Sequence, residues 1–98
     1  MLNMKTMSPV IENYANIKGR IIAVMDHPQL PGYQQLKVSL ENSYPITGFP
    51  NLAAADEGAD IFINIKKDNA SAINTTLQGV YKSLVKKVNH KEYFYTPG

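Results

Sequence analysis

The chain has 98 residues, 44% of them apolar and 18% charged, with a net charge of +2 and no cysteine. That is enough chain for one self-sufficient core and too apolar for a disordered one. Without cysteine there are no disulfides, thiolate zinc sites or cysteine nucleophiles, which fits a reducing, cytoplasmic setting.

Met1–Met7 holds no apolar core long enough for a signal peptide, and no later stretch is long enough to span a bilayer. The expectation is a single domain over residues 1–98, with 1–8 disordered. Charge is unevenly spread. Residues 1–65 carry four basic and six acidic side chains, net −2, whereas residues 66–98 carry six basic and two acidic, net +4. A basic last third of this kind suits an interaction surface or simply a solvated face.

The first strand signal is Arg20-Ile21-Ile22-Ala23-Val24-Met25, a nearly continuous apolar run, as in a strand with both faces at least partly covered. The second, Gln35–Glu41, alternates strictly. Leu36, Val38 and Leu40 face one way, and Gln35, Lys37, Ser39 and Glu41 the other, which is a half-buried strand. Asp26–Tyr33 joins them, a loop stiffened by Pro28 and Pro31 with a Pro31-Gly32 turn.

A proline- and glycine-punctuated connection runs from Asn42 to Pro50. In Asn51–Gly58, Asn51 caps a turn or two of helix, alanines favour it, and Gly58 ends it in the left-handed conformation. Ala59–Lys66 is the clearest strand. Ile61, Ile63 and Ile65 line one face, and Phe62 shares the other with Asp60, Asn64 and Lys66.

Residues 69–89 admit two readings. Ile73, Leu77, Val80, Tyr81, Leu84 and Val88 fall at helical spacing, which predicts one amphipathic helix over about 70–88. Alternatively Gly79 stops a short helix, and Val80–Val88 is a strand turning through Asn89-His90-Lys91 into Tyr93-Phe94-Tyr95. Asn74, Thr75 and Thr76, poor helix formers, support the break; periodicity supports the longer helix, which is the expectation adopted.

Either way the chain is a β-rich α+β domain. With the long helix, the strands form a small antiparallel sheet covered on one face. With the break, three antiparallel strands, a helix and a closing hairpin resemble in order an oligonucleotide/oligosaccharide-binding (OB-like) barrel. The expected core is Ile22, Val24, Leu36, Val38, Leu40, Ile61, Ile63, Ile65, Ile73, Leu77 and Leu84.

Little points to catalysis. His27 and His90 lie in different loops without metal-ligand spacing, so neither a metal nor another cofactor is expected. Asp56, Glu57 and Asp60 straddle a turn, where carboxylates ordinarily stay solvated. Ser83-Leu84-Val85-Lys86 has the spacing of a serine–lysine pair, a match this short arising readily by chance. No catalytic residue is assigned, and a non-enzymatic binding or accessory module is expected.

Two binding surfaces follow. The stiff loop presenting His27, Leu30 and Tyr33 loses little entropy on docking, which suits a protein partner. Free edges of a small sheet would also allow a homo-oligomer. The alternative is single-stranded nucleic acid, held by Lys82, Lys86, Lys87 and Lys91 with Tyr93 and Tyr95 as stacking platforms. No membrane partner is expected.

Overall fold

A computed structural model describes residues 11–70 and 76–97; the disorder expected for 1–8 lies outside the described residues. The strands are β1 (Ala15–Asp26), β2 (Tyr33–Pro45), β3 (Asp60–Lys66), β4 (Val80–Asn89) and β5 (Glu92–Tyr95). They close a barrel in the order β1-β2-β3-β5-β4. β1 pairs antiparallel with β2 throughout, and with β4 along Ala15–Arg20. β5 enters between β4, antiparallel to it, and β3, parallel to it, and so completes the ring. The domain is a small, β-rich closed barrel with very little helix, consistent with an OB-like barrel.

Period-2 alternation builds the interior. Ala15, Ile17 and Ile21 of β1, Leu36, Val38 and Leu40 of β2, and Ile61, Ile63 and Ile65 of β3 are all buried. Tyr81 and Val85 of β4 and Tyr93 of β5 complete the core. Burying each such aliphatic side chain stabilises the fold by roughly 1.5–3 kcal/mol.

β1 begins before Arg20, at Ala15, and its outer face is only partly covered: Ile22 and Met25 are 37% and 38% exposed. The apolar run reads continuously because a register shift between Ile21 and Ala23 changes the alternation, so that Val24 packs against the core while Ile22 faces out. At Gly19 the β2 backbone comes very close. A methyl group there would stand 2.4 Å from the Ser39 carbonyl oxygen and 2.7 Å from Val38 Cγ1.

β4 occupies Val80–Asn89, where one helix over about 70–88 is expected, and the helix that is seen, α1, covers Lys67–Ala70. Gln78 takes a positive φ of 67° just before Gly79, ending any helical path into β4. Periodicity misleads here because Tyr81 and Val85 are four residues apart, a spacing that puts two side chains on one face of either a helix or a strand. Leu77, expected in the core, is 57% exposed, and Leu84 is only partly buried. Ile73 lies outside the described residues. No helix among the described residues is long and apolar enough to cross a membrane.

Between β2 and β3 the chain makes a single 3-10 turn, Ala54–Asp56. The Asn51 side chain accepts the Ala53 amide at 3.1 Å, and Gly58 leaves the turn with φ 87°. Ala53 and Asp56 are both buried.

Candidate ligand-binding groove

A groove of about 480 Å3 lies across three strands. It is lined by Asn16, Ile17 and Lys18 of β1, Tyr44 of β2, and Lys82 and Ser83 of β4. Alternation explains the outward part of the lining, while Ile17 and Ser83 belong to the inward-facing set. With Ala15, Ile17 and Gly19 turned inward, Asn16 and Lys18 face out, as Lys82 does beside buried Tyr81. Register sets them in two rows: Asn16 is opposite Tyr44 and Leu84, and Lys18 is opposite Asn42 and Lys82. The rows are one two-residue step apart, about 7 Å. Tyr44 is 50% exposed.

Lys18 and Lys82 therefore face each other across a strand pair, an arrangement that opposes pairing. Most other cations have an acidic partner: Arg20 with Glu41, Lys37 with Asp60, Lys67 with Asp26, Lys86 with Glu12 and Lys87 with Asp56. Among the described residues, no acidic side chain comes within 4.0 Å of Lys18 or Lys82.

The residues named for nucleic acid are dispersed, and Lys82 alone lines the groove. Lys86 donates to Glu12 at 2.6 Å. That hydrogen bond, the largest influence on Glu12, holds its carboxyl below the ordinary range. Lys91 turns the β4–β5 hairpin with φ 56°, and its carbonyl accepts the Phe62 amide. Tyr93, expected as a platform, is 1% exposed, and Tyr95 packs partly buried against the core. Tyr93 and Tyr95 point inward, so Phe94 takes the outer face and meets the Tyr33 ring edge-on at 5.8 Å.

Lys87 points to the interior. Its ammonium lies 2.9 Å from Asp56 Oδ2, and the Tyr93 hydroxyl donates to the same oxygen. Asp56 is thus a buried carboxylate where a solvated one is expected. Burial pushes its pKa up, but the hydrogen bonds from Lys87 and Tyr93 and the Lys87 charge outweigh it, leaving the carboxyl below its ordinary range. Burial and the Asp56 contact push the Tyr93 phenol upward. On β4, Ser83 donates to the Tyr81 hydroxyl at 2.7 Å while Lys86 reaches Glu12. Residues three apart on a strand face opposite ways, so the serine–lysine spacing makes no pair.

The loop residues are also occupied. His27 Nδ1 accepts the amides of Gln29 and Leu30, each at 3.0 Å, so a neutral ring carries its proton on Nε2. The His27 side chain is 6% exposed, and Nε2 lies 3.9 Å from Glu92 Oε2. Leu30 is half-buried; Tyr33 is half-buried as well, against Phe94. Beneath them Asn64 is fully buried, linking Gln35 and Glu92 through its amide. His90 is exposed in the hairpin turn.

Asn16 and Lys18 were not anticipated as site residues. The outward alternation Asn16-x-Lys18-x-Arg20 was the available signal, hidden by starting the strand at Arg20. The opposition of Lys18 and Lys82 depends on a pairing between residues 64 apart in sequence. No protein-family model matches this chain, and neither does any curated protein or solved structure.

Proposed function

We propose that this chain is a non-enzymatic binding module and that its groove on β1, β2 and β4 holds an extended anionic ligand. The observation supporting this is the direct opposition of Lys18 and Lys82 without an acidic partner. An anion between two ammonium groups turns mutual repulsion into two charge-assisted contacts. The volume is within the usual range for ligand sites.

The test is binding of inorganic polyphosphate to the wild type and to Lys18→Glu/Lys82→Glu, at low and near-physiological salt. Saturable binding that weakens with salt and is lost in the double variant is expected. Absence of binding at low salt, or binding indifferent to the two reversals, refutes the proposal.

A second reading is a protein partner on the β1–β2 loop. Its support is the internal bracing of that loop by His27 and by Tyr33 against Phe94, which presents exposed Pro28, Gln29 and Pro31 on a stiff frame. Partner binding would then be insensitive to the lysine reversals and lost in Leu30→Ala/Tyr33→Ala. Self-association through a sheet edge has only strand ends to use, such as Ile22–Asp26 of β1, paired with β2 alone, and Glu41–Pro45 of β2, paired with β1 alone.

A further inference from the structure

We infer that the anionic ligand of the groove is single-stranded nucleic acid, with a phosphate between Lys18 and Lys82 and a base stacked on Tyr44; this rests on the anion-binding reading above. Phosphate alone accounts for the lysine row, but it leaves the second row without a role. One step along β1 from Lys18, Asn16 stands opposite Tyr44, a half-exposed aromatic ring lining the same groove. An aromatic face beside a cation pair is the combination that holds unpaired nucleotides: the ring takes the base, the ammonium groups take the backbone.

The spacing agrees. A step of about 7 Å between rows is comparable with one nucleotide of extended backbone, so a phosphate and an attached base reach both rows together. Exposed Asn16 offers an amide donor and a carbonyl acceptor to a base edge. Ser83, whose hydroxyl is given to Tyr81, needs no ligand. A paired base is stacked inside its duplex and cannot present its face to Tyr44, so the site selects single strands. Because every base has such a face, little sequence preference is expected.

Apart from Lys82, the site is distinct from the C-terminal surface named from the sequence. Tyr93 is inside the barrel, and Lys86 and Lys87 already hold Glu12 and Asp56.

The experiment compares three labelled probes of equal length, about 12 units, a length suited to one small barrel. They are oligothymidylate, the corresponding abasic oligonucleotide, and duplex DNA. Each is titrated against wild type, Tyr44→Ala, Tyr44→Phe and Lys18→Glu/Lys82→Glu. Oligothymidylate is expected to bind about tenfold or more tighter than the abasic strand and the duplex. Tyr44→Ala should remove that preference, Tyr44→Phe keep it, and the lysine reversals abolish binding of all three. Equal, lysine-dependent binding of thymidylate and abasic strands overturns base stacking and leaves the anion site standing. A thymidylate preference that survives Tyr44→Ala places the base elsewhere and also overturns the inference. No binding of any probe or of polyphosphate overturns both.

Discussion

The Tyr93 hydroxyl and Asp56 Oδ2 are 2.5 Å apart, joining the interior of β5 to the 3-10 turn between β2 and β3. Lys87 reaches the same carboxylate from β4, so one buried oxygen ties three elements together at one end of the barrel. Its pKa is depressed, hence the folded state binds fewer protons than the unfolded state at this position. The stability it contributes is fully present above the ordinary aspartate value, about 4, and is lost as pH falls through the lower folded value. Glu12 and Glu57, also depressed, titrate in the same acid direction. The contribution of Asp56 is therefore read as the difference between wild type and Asp56→Asn in urea unfolding. The variant should be less stable by about 3 kcal/mol at pH 7, since Lys87 is left without its counter-ion, and the gap should narrow below about pH 4. A gap independent of pH would show that the carboxylate charge is not what holds the turn.

Tyr93→Phe keeps the ring in the core and removes only the hydroxyl donor to Asp56. A loss of about 1.5–3 kcal/mol is expected, the worth of a hydrogen bond to a charged group. Binding of oligothymidylate should stay at the wild-type level when measured well below the unfolding transition. Weakened binding by the folded variant would return Tyr93 to the ligand surface.

Gly19→Ala places a methyl group against the Ser39 carbonyl and Val38 Cγ1, so β1 or β2 must move. The cost should be about 1–3 kcal/mol, which for a domain of this size lowers Tm by roughly 4–8 °C per kcal/mol. Gly19 has no positive φ, so close approach rather than backbone freedom is the tested property. A Tm unchanged by the substitution would contradict it.

His27→Ala removes the acceptor of the Gln29 and Leu30 amides. Hydrogen exchange at those two amides should accelerate, with protection of Val38 and Ile63 in the core unchanged. Polyphosphate affinity should also be unchanged, because His27 is not among the groove residues. Exchange at Gln29 and Leu30 equal to wild type would show that the ring does not brace the loop.

The strands were legible where one face is wet and the other buried. Leu36–Leu40 alternates as expected, and Ile61, Ile63 and Ile65 line the core as expected, whereas Asn64, expected on the open face, is fully buried. Legibility failed where two periods coincide or a bulge intervenes. Tyr81 and Val85 satisfy both helix and strand, and the shift after Ile21 makes an alternating strand look like a fully buried one. Local chemistry was the better guide in the last third: Gly79 and the residues before it marked the break. Asp56 lay beyond any local signal, because its partners Tyr93 and Lys87 are more than thirty residues away. Lys82 was named as a cation, but its opposition to Lys18 became visible only once β4 was known to be a strand beside β1.

The parallel seam between β3 and β5 joins segments that are distant in the chain. β1, β2 and β3 are joined by successive hairpin-like pairings, whereas Phe62–Asn64 finds Glu92–Phe94 only after some thirty further residues have been laid down. Without β4 and β5, a β1-β2-β3 ribbon has two unpaired edges, β1 along Ala15–Arg20 and β3 along Phe62–Asn64, the kind of edge on which chains associate wrongly. Closure by such a distant segment is slow compared with forming the hairpins. The four residues Glu92–Tyr95, a small fraction of the chain, thus cover the free rail of β3 while β4 covers that of β1.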